Sequence, residues 1–105
     1  MNNKKMEGNN MNEQYYIIRG DRSGVFFGQI EERNGQEVKI RNCRRLWYWD
    51  GAASISQLAL DGTKAPNNCK FTVTVDELTI LDAIELIPCT EVSVKSIQAV
   101  KVWMR

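Results

Sequence analysis

At 105 residues, 43% apolar and 26% charged, the chain has the composition of one globular domain, which excludes a largely disordered or fibrous protein. Lys and Arg total 14 against 13 Asp and Glu, a formal charge of +1. That balance argues against a domain held to duplex DNA mainly through its phosphates, while leaving room for a local basic patch.

In chain order, residues 1–12 are rich in Asn, Lys and Met without hydrophobic period and are expected to form a disordered tail, with one β-rich domain over 13–105. Tyr15, Tyr16, Ile17 and Ile18 have the content of a strand, and the turn residues at 20–24 end it. A second strand is predicted over 25–32, in which Gly28 marks a bulge or a close approach of another backbone. Asn34-Gly35 predicts a type I′ hairpin, returning over 37–41 with Val38 and Ile40 inward and Glu37, Lys39 and Arg41 outward. Residues 46–49 read as a separate strand closed by Asp50-Gly51, followed by a short helix over 54–60 capped by Ser54 and stopped by Asp61-Gly62. A polar loop with Pro66 leads to a strand over 70–75 whose Phe71, Val73 and Val75 are expected to be buried.

Residues 76–81 suit a helical turn or a strand, and strand is preferred; another strand over 83–87 is stopped by Pro88. Thr90 caps a helix over 91–99 whose Val94 and Ile97 share one face, extended by Val100, and the last residues form a late strand or a docked tail. The sum is an α+β fold, mainly β: a strongly bent antiparallel sheet or small barrel, with a short helix after the aromatic strand and one C-terminal helix.

Cys43, Cys69 and Cys89 are odd in number, widely spaced and without a CxxC pair, so buried thiols are expected rather than disulfides. With no histidine in the chain, the commonest metal ligand and the commonest general base are both missing. Neither a metal, a cofactor nor a catalytic site is expected. No apolar run reaches the ~20 residues that span a bilayer, and the polar start is unlike a secretory leader, so a cytoplasmic protein without a membrane partner is expected.

The most unusual segment is Arg44-Arg45-Leu46-Trp47-Tyr48-Trp49-Asp50-Gly51. On a regular strand neighbouring side chains point to opposite faces, so Trp47 and Trp49 should share one face and Tyr48 should join Leu46 on the other. Large rings on both faces need cover on both, from core on one side and from a partner on the other. Arginines stack on rings and fork onto phosphate or carboxylate oxygens. Arg44, Arg45, Trp47, Tyr48, Trp49 and Asp50 therefore form the candidate binding set: rings for a base, guanidinium groups for charge, Asp50 for a hydroxyl or amine. Arg19 and Arg22 add to it, from a glycine-bearing loop whose amides could seat an anion.

With the segments YIIRGDRSGVF (16–26), RLWYWDGAASISQLA (45–59) and NCKFTVTV (68–75) in view, the chain resembles a family of small uncharacterised proteins carried by bacteriophages and prophages, over residues 14–97. The resemblance implies a setting in the bacterial cytoplasm during phage expression. The expected function is a non-catalytic, homo-oligomeric phage or prophage accessory protein that sequesters a small anionic, nucleotide-like ligand. The alternatives are an inhibitor of a host bacterial enzyme and a single-stranded nucleic-acid binder, the latter disfavoured by the near-neutral charge.

Overall fold

A computed structural model of the chain describes residues 13–105; the expected tail over 1–12 lies outside the described residues. Six strands run β1 (Tyr15–Gly20), β2 (Val25–Asn34), β3 (Glu37–Tyr48), β4 (Lys70–Phe71), β5 (Val75–Ile80) and β6 (Ala83–Pro88). Two helices, α1 (Ile55–Asp61) and α2 (Glu91–Ala99), complete the fold with a short 3-10 turn, Pro66–Asn68. The sheet is antiparallel in the order β4-β3-β2-β1-β6, with β5 also pairing β3. Because β5 pairs only β3 and β6 only β1 among the described residues, the sheet is bent but not closed into a barrel.

The period-two alternation gives the sheet two apolar faces. Ile17, Phe27, Leu46 and Phe71 meet α1 and α2 through Leu58, Ala59 and Ile97. On the opposite face Ile18, Phe26, Val38, Ile40, Cys43, Ile80 and Ala83 pack together with no helical residue among them. An apolar face covered only by strands requires the sheet to curl over itself, which is the physical content of its bend. Leu81 and Asp82 alone link β5 to β6, and backbone bonds pin this link at both sides, from Asp21 N–H to the Asp82 carbonyl (2.8 Å) and from Ala83 N–H to the Gln36 carbonyl (3.0 Å).

Both helices start and stop where the sequence places them. Ser54 Oγ accepts from Gln57 N–H (3.1 Å), Thr90 Oγ1 accepts from Ser93 N–H (3.1 Å), and Gly62 ends α1 at a φ of 75°. Buried Ile97 and half-buried Val94 carry the apolar face of α2, and buried Val100 extends it at the cap.

Three strand expectations need correction. The hairpin turn sits on Gly35-Gln36 rather than Asn34-Gly35: Asn34 pairs with Glu37, and Gly35 has a φ of 64° while Asn34 keeps a negative one. This is the pattern of a type II′ turn, with glycine at the first central position. The two strands predicted over 37–41 and 46–49 are one, because the chain passes through a bulge instead of a break. Gln29 pairs with Arg41 but Phe27 pairs with Arg44, so Gly28 faces two residues, and Asn42 takes up the excess at a φ of 51° with its Nδ2 donating to Gln29 Oε1 (2.7 Å). Gly28 is the close approach expected of it, since a Cβ there would lie 2.5 Å from Ile40 Cγ2 and 2.8 Å from the Arg41 carbonyl. Finally, the strand over 70–75 is interrupted at 72–74, and Val73 and Val75 are exposed.

A candidate aromatic ledge

The C-terminal end of β3 delivers the aromatic run to the rim of the sheet. Leu46 pairs with Phe71 and Tyr48 with Lys70, so Trp47 is an extra residue on β3 at this step. The bulge overturns the alternation expected from sequence. Trp47 and Tyr48 are both exposed, at 63% and 50%, while Trp49 turns back with Leu46 onto the helix-covered core. Beyond β4 the last residues form a strap: Val102 bridges Phe71, and Trp103 N–H donates to the Phe71 carbonyl (2.9 Å). This sets the Trp103 indole parallel to Trp47, with centroids 6.3 Å apart and planes within 8°, and Lys70 Nζ lies 5.6 Å from the Trp103 ring. Such a pair is an offset stack with a cation on it. Trp103 and Lys70 were not among the residues singled out by sequence. The one signal was the apolar run Val102-Trp103-Met104 between the cations Lys101 and Arg105.

The arginines do other work. Arg44 is only 4% exposed and points into the core side of the sheet. Its Nε donates to the Thr72 carbonyl (2.8 Å), Nη1 to Ile97 (2.7 Å), and Nη2 to Val100 and, at 3.4 Å, to Phe71, whose ring it also covers at 5.5 Å. The cation thus closes the carbonyl end of α2 and ties it to β4. Burial holds its pKa below the ordinary guanidinium value. Arg45 is half-buried, with Nη1 on the Ser23 carbonyl (2.7 Å) and its guanidinium 4.6 Å from the Phe26 ring. Neither guanidinium is turned to a ligand.

Asp50 is likewise engaged at home, accepting from Gly51 N–H (2.9 Å) and from Asn68 Nδ2 (3.2 Å). Arg19 pairs with Glu85 across β1 and β6 (2.7 Å), and Arg22 is exposed on the β1–β2 loop, next to the Ser23 whose carbonyl Arg45 holds. The anion seat expected in that loop exists, and the chain fills it. Asp82 accepts from Arg22 N–H (2.8 Å), Ser23 N–H (2.9 Å) and Ser23 Oγ (2.6 Å), and the Ser23 hydroxyl foremost, then the amides, hold its carboxyl below the usual range. Of the expected binding set, then, only Trp47 and Tyr48 come together on an open surface.

The three cysteines are free and buried, and burial pushes the Cys43 thiol up to about 12 and Cys89 to about 11. Among the described residues no group of three or more His, Cys, Asp or Glu is placed to hold a metal ion, and no helix is long and apolar enough to cross a membrane. Arg44 also lines a cavity of about 260 Å³ with Tyr15, Phe27, Asn42, Thr74 and Gln98, which no ring of the ledge enters.

Comparison with curated proteins and with solved structures gives no match. A family model, described as a domain of unknown function (DUF6948), matches residues 13–97, which takes in all six strands, α1, most of α2 and the first two rings of the ledge but stops before Trp103. The chain belongs to that family.

Proposed function

We propose that this domain is a non-catalytic binding protein whose working surface is the aromatic ledge, where Trp47 and Tyr48 offer their rings to a planar, anionic ligand of nucleotide type. The observation that carries the reading is the exposure of those two rings beside the stacked Trp103 and the Lys70 ammonium. Large rings held in water next to a cation forgo the burial that rings ordinarily gain in a core, and they suit stacking on a base with its phosphate near the lysine. Arg44, Arg45, Trp49 and Asp50 support the ledge from beneath or beside it rather than touching the ligand.

The non-catalytic reading is supported by where the perturbed groups lie: Asp82 is locked in a loop, and the Cys43 and Cys89 thiols are held protonated in the interior. A phage or prophage accessory role in the bacterial cytoplasm, by sequestering such a ligand as a homo-oligomer, is the setting we propose for it. A second reading, an inhibitor docking on a host enzyme, is favoured by Val102 and Met104, 44% and 74% exposed on the strap.

Titration of tryptophan emission with mono-, di- and cyclic nucleotides and short oligonucleotides tests the proposal. Saturable quenching that Trp47→Ala removes is expected. Silence across the whole panel overturns it.

A further inference from the structure

Resting on the ledge reading above, we propose that its ligand is single-stranded nucleic acid rather than a lone nucleotide. Tight binding of a small ligand requires a concavity that buries ~70–90% of its surface. The ledge is open instead, with Trp47 63% and Tyr48 50% exposed on successive residues and Trp103 carried on a separate segment across β4. Several rings along an open rim suit several bases, each stacking on one ring, with the backbone tracked by cations.

The net charge of +1 conceals the required field. The three segments that build the rim, 44–49, 69–75 and 100–105, contain no acidic residue. Their exposed cations are Lys70, Lys101 and Arg105. Five exposed acids lie on the β2–β3 hairpin and on β5 beside it. Glu31, Glu32, Glu37, Asp76 and Glu77 surround the β2–β3 hairpin, where Lys39 contacts Glu32 and Glu77 and Arg41 contacts Glu31. The nearest acid to the rings in sequence, Asp50, has its carboxylate engaged by Asn68 and Gly51. The segments that carry the rings are thus cationic in themselves, and Asp21, Asp50 and Asp82 are the acids at the same end of the sheet.

The test is fluorescence anisotropy of labelled dT12 against the full chain at 50 and 200 mM salt, with dTMP and ATP as competitors and the mass of the free protein measured in parallel. Saturable binding of dT12 is expected, at least tenfold tighter than either mononucleotide. For three phosphate contacts log K should fall with log salt at a slope of roughly −2. Trp47→Ala and Trp103→Ala should each weaken binding about tenfold or more, with melting curves close to the parent's. If the mononucleotides bind as tightly as dT12, this inference falls while the nucleotide reading stands. If nothing in the panel binds, both fall. If instead the protein is a dimer whose tryptophans resist acrylamide until dilution, the ledge is covered by a second copy and the inference is overturned.

Discussion

Arg44 and Trp47 lie three residues apart on one strand, and their fates are opposite. The cation, the group best able to seize an anion, is sunk in the core with carbonyls on every side, whereas the apolar indole stands in water. The exchange is made by the backbone. The bulge at Gly28 and Asn42 resets which face β3 presents, so that Arg44 arrives inward beneath the end of α2, and the second bulge at Trp47 turns two successive rings outward. Side-chain chemistry alone therefore does not say which residues of a mixed run meet solvent; strand register does.

The sharpest way to break the contrast is Arg44→Met. It keeps the bulk and removes the guanidinium from the Thr72, Ile97 and Val100 carbonyls, of which Ile97 keeps the Val100 N–H, so a loss on the order of 3 kcal/mol is expected in chemical denaturation. A variant as stable as the parent would mean that water replaces the guanidinium at no cost. Next comes Gly28→Ala, which leaves both residues in place and perturbs the bulge that sorts them. Its Cβ would press Ile40 and the Arg41 carbonyl, and about 1–3 kcal/mol is expected.

A smaller effect, visible only in acid, concerns Asp82, the mirror image of Arg44 in that a carboxylate is consumed by the chain's own amides. Because its pKa is depressed in the folded state, its contribution is present above the unfolded carboxylate's pKa and is lost as pH falls through the lower folded one. Asp82→Asn should flatten the acid limb of the stability profile while the profile near neutrality keeps its shape. The smallest change in stability belongs to Trp47→Ala, within about 0.5 kcal/mol, together with a clear drop in the emission that acrylamide quenches. A large destabilisation there would show the indole to be structural after all.

Most of the architecture was legible because it rests on local signals. Ser54 and Thr90 cap as hydroxyls should, Gly62 stops α1, Pro88 ends β6, and Val38 and Ile40 alternate with charged neighbours. What escaped had a non-local origin. The left-handed Asn42 turns a predicted gap into one long strand, and only the pairing of Phe27 with Arg44 reveals it. Val73 and Val75 alternate faultlessly and remain exposed, because the chain kinks at 72–74 where β4 gives way to β5. At the site, Trp47 and Tyr48 could be named from sequence. Trp103 could not, since it reaches Trp47 only through a backbone bond to Phe71. Nor could the withdrawal of Arg44, whose partners are carbonyls and so leave no mark in the sequence.

The occupied loop between β1 and β2 bears on competition inside a cell. Asp82 is tethered to its seat by the same chain, so it acts at an effective concentration that a freely diffusing metabolite must outbid. A soluble phosphate arriving at Arg22 and Ser23 therefore finds a resident tenant.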